Sequence, residues 1–239
     1  MSSLSARETH GRIEVHLAPD GAAEVLRTTA ESDIRIAMAR GQGGGAAAAF
    51  EVADSIDCSA FPAFLQAFCA AADLHVEVSF RATRLSSSHV VLEDTGLALG
   101  MGLFEMLRAR MAETGVQGAG SSLRSKAQFL EAGVSASVSV EGRKFLKVLS
   151  AEGADSFRWR HVLGGFAFGG VRTEDIDDFI DALAGGMRAS IFLHERRAYA
   201  DSAAFWADAI AALGAAVSEA FEPNEARRGL PPGVKATLL

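Results

Sequence analysis

His89 and Glu93 stand four residues apart in a run that reads as helix. Residues at that spacing share one helix face, so an imidazole and a carboxylate converge and can grip one divalent cation; the pair equally reads as a solvated helix-face contact. A second concentration of donors, Glu174, Asp175, Asp177, Asp178 and Asp181, opens another helical stretch. Carboxylates there are either cation ligands or residues favoured by the helix dipole alone. Arg143 follows Gly142 between two strand-like runs, where a guanidinium either holds an anion or faces solvent. Cys69, in an apolar helix, reads as a small buried hydrophobe, and His194 as a hydrogen-bonded core histidine. The glycine run from Gly41 to Gly45 is followed by alanines rather than by Lys-Ser/Thr, which excludes a phosphate-binding P-loop and leaves a flexible hairpin loop.

Composition limits what such groups can serve. The chain has 239 residues, 49% of them apolar and 22% charged, enough for a substantial core without disulfides or a structural metal. A net charge of -7 argues against a nucleic-acid partner, which needs a basic face to displace counterions from phosphates. Two cysteines make no disulfide framework, and the first residues carry no basic segment with an apolar run behind it, so the expected compartment is the cytoplasm. Apolar stretches such as Phe61 to Ala72 are broken by polar residues before they reach bilayer length, and no membrane association is expected.

The elements that must carry these residues come in the same order twice. Strands are expected at Glu24 to Arg27, Asp33 to Met38 and Phe50 to Ala53, a helix over Phe61 to Ala72, a strand over Leu74 to Phe80 and a long helix over Val91 to Met111. The second half offers strands near Val134 to Val140, Lys144 to Leu149 and Phe157 to Val162. A helix from Thr173 to Leu183, a strand from Ala189 to Leu193 and a helix from Ala203 to Phe221 follow. Ser59 and Thr173 lie 114 residues apart, as do Leu74 and Arg188. This predicts an α+β fold with an internally duplicated unit of three strands, helix, strand and helix, the helices sandwiched between two mixed β-sheets. Residues 1–22 form an N-terminal extension that adds an edge strand, 23–120 the first repeat, 121–221 the second and 222–239 a C-terminal tail.

Four motifs, in order, resemble imidazoleglycerol-phosphate dehydratase, a histidine-biosynthesis lyase with a duplicated fold of the ribosomal S5 domain 2 type. Arg27-Thr28-Thr29-Ala30-Glu31-Ser32-Asp33-Ile34 is similar to the family's R-x-T-x-E-T-x-I, and His89-Val90-Val91-Leu92-Glu93-Asp94-Thr95-Gly96-Leu97-Ala98-Leu99-Gly100 to its H-H-T-x-E-D-x-G-x-A-L-G. Glu141-Gly142-Arg143 sits at its S-G-R, and Pro232-Gly233-Val234-Lys235-Ala236-Thr237-Leu238 resembles its P-S-T-K-G-x-L tail. The resemblance implies two manganese ions, each held by an H-H-x-x-E helix and a further His, that stabilise charge as a carbon-bound proton and a hydroxyl leave. It also implies Glu31 and Glu93 as catalytic groups, Arg143 and Lys235 as ligand-binding cations, and assembly of the chain as a homo-oligomer, a trimer or higher.

The chain departs from that pattern at the metals. Val90 replaces the second His of the first helix, and Ala204-Phe205-Trp206-Ala207-Asp208 replaces H-H-x-x-E in the second half. Two further ligand positions fall on Phe61 and Asp178. Following the family's crosswise sharing, one ion would see only Asp208, whereas the other would see His89, Glu93 and Asp178. The expectation is therefore at most one divalent metal, manganese first, or none, with a small anionic or phosphorylated molecule as ligand and two-metal dehydration lost. The alternatives are a non-catalytic binding or scaffold relative, and a carbon–oxygen lyase that is still active.

Overall fold

The computed structural model describes residues 4–8, 11–41, 43–53, 55–82, 87–125, 132–150 and 153–231. Twelve strands are described: β1 (Leu4–Glu8), β2 (Gly11–Leu17), β3 (Ala23–Thr29), β4 (Ser32–Arg40), β5 (Gly45–Glu51), β6 (Leu74–Ala82), β7 (Ala119–Ser121), β8 (Val134–Val140), β9 (Phe145–Ser150), β10 (Phe166–Ala167), β11 (Val171–Arg172) and β12 (Ala189–Glu195). The long helices are α1 (Phe61–Ala72), α2 (Ser88–Glu113), α3 (Thr173–Met187) and α4 (Ser202–Ala220).

Strand formation follows the two-residue period. Leu74, Val76, Val78 and Phe80 of β6 are buried while His75, Glu77 and Ser79 face out, and Ile34, Ile36 and Met38 do the same in β4. The first sheet runs β1-β2-β3-β4-β6-β5 and the second β7-β8-β12-β9, so β3-β4-β6-β5 and β7-β8-β12-β9 repeat one order. In each half the last pair is parallel, β5 with β6 and β9 with β12, and its inner neighbour antiparallel. Even the helix ends repeat. Both α1 and α3 stop on a non-glycine residue in the left-handed conformation, Asp73 (φ 53°) and Arg188 (φ 51°), each just before its strand.

Helices α1 and α2 rest on the first sheet and α3 and α4 on the second, and the halves pack crosswise, α2 on α3 and α1 on α4. The chain is an internally duplicated α+β sandwich with helices between mixed sheets. Among the described residues α4 alone is long and apolar enough to cross a membrane, and 67% of that stretch is buried in this core.

Three expectations need correction. The segment from Phe157 to Val162 is not a strand: a short helix, Ala154–Phe157, runs into a π-helical turn, Arg158–Val162. A strand would put Phe157, Trp159 and His161 on one face, yet Phe157 and His161 are buried and Trp159 is 75% exposed, which is helical spacing. The missing strand is β7, whose Ala-Gly-Ser offers no apolar alternation and which starts before the expected boundary at 120/121. The N-terminal extension supplies two strands, so β2 pairs on both sides and β1 is the edge. The glycine loop after β4 leads to a strand paired with β6 rather than with β4, so it is a crossover and not a hairpin.

Candidate metal centre

Helices α2 and α3 run parallel with their N-termini side by side: Ser88 meets Asp175, Gly96 faces Phe179 and Gly100 faces Leu183. Glycine makes this approach possible, since a Cβ on Gly96 or Gly100 would lie 2.5 Å from the carbonyl oxygen of Phe179 or Leu183. The close contact brings His89, in the first turn of α2, onto the acidic start of α3. Two positive helix ends point into the same region and favour the negative charge gathered there.

The His89 ring lies between two carboxylates. Its Nδ1 is 2.8 Å from Asp178 Oδ2 and its Nε2 3.2 Å from Glu93 Oε2. His89 is 44% exposed, whereas Asp175 is only 3% exposed and accepts a hydrogen bond from the Ser88 hydroxyl at 2.6 Å. His89, Asp175 and Asp178 each offer a ligand atom, all within 4.8 Å of one another. One imidazole and two carboxylates are a donor set suited to a divalent cation. Asp177, beside them, has its carboxyl pushed up to about 6, by burial and by the charges of Asp178 and Asp181, against the pull of Arg158.

Two hollows flank this cluster. One, of about 290 Å³, has apolar walls from Phe61, Leu92 and Phe166, with Asp57, Arg172 and Asp175 among its polar groups. The other, of about 360 Å³, holds His89, Asp177 and Asp178 opposite Arg158 and Arg172. The β10–β11 hairpin lines both, and the π-helical turn lines the second. Cys58 also lines the first, but burial and the neighbouring Asp57 and Asp175 push its thiol up to about 11, so it is no nucleophile near neutral pH.

The equivalent end of α4 is built differently. Asp201 caps the helix by accepting from the Ala203 and Ala204 N–H groups. Phe205 and Trp206 are fully buried, Phe205 stacked on His161 with ring centroids 4.7 Å apart. The Trp206 indole N–H donates to the His161 carbonyl at 2.6 Å. His161 is itself fully buried, with Nε2 facing Glu195 Oε1 at 3.3 Å. Burial lowers the His161 pKa against the pull of Glu195. Burial pushes Glu195 up, but the Ser150 hydroxyl, the Tyr199 N–H, His161 and Arg160 outweigh it and leave that carboxyl below its usual value. Asp208 accepts a 2.6 Å hydrogen bond from the Tyr199 hydroxyl.

The residues singled out in the sequence therefore separate into groups. His89, Glu93 and Asp178 come together. Asp208, on α4, is tied instead to Tyr199 in the loop before that helix. Phe61 packs against Phe50, Phe64 and Phe179. Glu31 is exposed in the β3–β4 turn; its neighbour Ser32 donates to Asp94, which is paired with Arg27 and follows Glu93 on α2. Arg143 is exposed in the β8–β9 turn, where the N–H groups of Glu141 and Gly142 donate to Arg188 at the C-terminal end of α3. Thirteen residues of helix, about 20 Å, separate that end from Asp175, so Arg143 does not reach the cluster in its own chain. Lys235 lies outside the described residues. His194 is exposed rather than core, because the pleat of β12 turns Glu195 inward instead. Asp175 was not separated from the acidic run, although its three-residue spacing from Asp178 places both on one helix face.

No protein-family model and no curated protein sequence matches the chain. Solved structures do. Imidazoleglycerol-phosphate dehydratase from Staphylococcus aureus subsp. aureus N315 is 17% identical with a TM-score of 0.52, over 80% of this chain and 94% of that one. IGPD from Pyrococcus furiosus, in complex with (S)-C348, is 20% identical with a TM-score of 0.55, over 89% of this chain and 99% of that one. Two like-ordered sheets, crosswise helices and near-complete coverage give this chain the imidazoleglycerol-phosphate dehydratase fold.

Proposed function

We propose that this chain binds one divalent cation, manganese first, at the His89–Asp178 pair, and beside it a small ligand with an anionic group. The observation that carries the reading is the His89 ring held between carboxylates of α2 and α3 at the edge of a hollow. When bound, such an ion acts as a Lewis acid that polarises an oxygen or nitrogen of the ligand. The protein's own groups hold the rest: Asp178 and Glu93 fix the imidazole, and Arg172 is the cation of the 290 Å³ hollow. Phe61, Leu92 and Phe166 favour a ligand with an apolar body, and the Asp57 and Asp175 carboxylates disfavour a bare phosphate dianion. Arg143 would serve only in a homo-oligomer that brings it from another copy.

Two-metal dehydration is not part of this reading, because the second ion would see Asp208 alone, with Phe61, Val90 and Ala204 at its other ligand positions, and hydrocarbon donates no lone pairs. The closed α4 end favours, as a second reading, a binding or scaffold relative without catalysis. Metal analysis of protein purified without chelator tests the first: about one manganese per chain is expected, and none in His89→Ala. Chains free of metal in both would sink it. Turnover of imidazoleglycerol phosphate by the pure protein would overturn the loss of dehydration.

A further inference from the structure

We infer that Asp175, and not Glu93, completes the cation site with His89 and Asp178, and that Glu93 is a positioning residue that accepts the Nε2–H of His89. This rests on the one-cation reading above and assigns the donors within it.

The two ring nitrogens of an imidazole point away from each other, so a group bonded to one does not share a cation held by the other. Here the division is already made. Asp178 faces Nδ1 at 2.8 Å and Glu93 faces Nε2 at 3.2 Å. The ligand atoms that cluster within 4.8 Å come from His89, Asp175 and Asp178. Adjacent donors around a small divalent cation stand about 3 Å apart when each is about 2.1 Å from the metal, so the Asp178–Nδ1 spacing needs little adjustment.

The surroundings of the two acids agree with the division. Asp175 is 3% exposed and one oxygen is fixed by the Ser88 hydroxyl, the support that metal-binding carboxylates ordinarily receive. The Glu93 side chain is 53% exposed and reaches the imidazole from the side remote from α3. A histidine that binds a metal through one nitrogen ordinarily donates the other N–H to a carboxylate, which fixes tautomer and ring angle. Glu93, four residues on along the same helix, is placed to be that acceptor. Asp175 also borders the 290 Å³ hollow, so an ion ligated by it stands where a molecule in the hollow can reach it.

Calorimetric titration of the full chain and its variants with Mn²⁺, at neutral pH, tests the assignment. The wild type is expected to take one ion. His89→Ala, Asp178→Asn and Asp175→Asn should each lose the heat of binding. Glu93→Gln should keep a one-to-one stoichiometry with affinity weakened by no more than about 10–100-fold, the usual scale for an outer partner. In the Zn²⁺-loaded protein, long-range ¹H–¹⁵N spectra should show His89 metal-bound at Nδ1 and protonated at Nε2, a reading that does not depend on how well Asp175→Asn folds. Glu93→Gln losing binding as completely as Asp178→Asn, or a proton found on Nδ1, would overturn the assignment and leave the one-cation reading standing. Wild type that takes no Mn²⁺ would end both.

Discussion

The N-terminal ends of α2 and α4 occupy equivalent places in a duplicated fold and have been built in opposite ways. At α2 polar groups stand half-exposed around an open hollow; at α4 Phe205 stacks on His161 and Trp206 meets Phe205 edge-on, both fully buried. One end leaves its polar groups accessible and the other buries its side chains in the core. The α2 end can stay open because the glycine-mediated contacts of α2 with α3, at Gly96 and Gly100, lie behind the helix tip rather than at it.

The largest expected difference is in stability. Phe205→Ala leaves a cavity among Phe157, His161, Tyr199 and Trp206 and should cost about 3–5 kcal/mol in urea unfolding. His89→Ala removes a side chain 44% exposed and should cost less than about 1 kcal/mol. Equal losses at the two sites would break the contrast. Metal should narrow the gap. Manganese at roughly one hundred times its dissociation constant should add about 2.7 kcal/mol to the wild type, by mass action on the folded state, and nothing to His89→Ala. A Phe205→Leu chain should keep that gain, and its loss there would mean the α4 end takes part in binding.

Acid sharpens the comparison from the other side. His161 is held neutral by burial, so its folded pKa lies below 6.5; its contribution is complete above the unfolded value and is lost as pH falls below it. Glu195 has a lowered folded pKa, so its contribution is present above about 4.5 and is also lost on acidification. Both signs agree: unfolding free energy should fall as pH drops from 7 towards 4, and His161→Phe should flatten the upper part of that fall. Chemical unfolding at stepped pH reads this out, and an unchanged slope in the variant would place the acid sensitivity elsewhere.

How much of this was legible in the sequence depended on which period the residues obeyed. The β4 and β6 alternation and the glycine-punctuated α2 announce themselves, and the four motifs led to the right fold although the sequences share a fifth of their residues or less. His89 and Glu93 were found because four-residue spacing on a helix is a rule of geometry. The turn at Arg158–Val162 was misread because Phe157, Trp159 and His161 mimic strand alternation, and only the exposure of Trp159 reveals the helical winding. The His161–Glu195 pair joins residues far apart in the chain through tertiary packing alone, and no local spacing encodes it. Asp175 was hidden for a subtler reason: five acidic residues at a helix start look alike until the neighbouring helix determines which of them it faces.

The smallest expected effect decides what Asp208 is. Its carboxylate accepts from the Tyr199 hydroxyl at 2.6 Å, and burial followed by that carboxylate raises the phenol's pKa, as expected for a hydroxyl kept as a donor. Tyr199→Phe removes one hydrogen bond and leaves Asp208, half-buried, to water, so the loss should be about 0.5–1.5 kcal/mol. If Asp208 is a structural acceptor, Tyr199→Phe and Asp208→Asn should cost similar amounts singly, the double variant little more, and manganese stoichiometry should stay at that of the wild type. A drop in bound manganese in Asp208→Asn alone would instead make this carboxylate a ligand, and the α4 end would then be a second, weaker version of the first rather than its opposite.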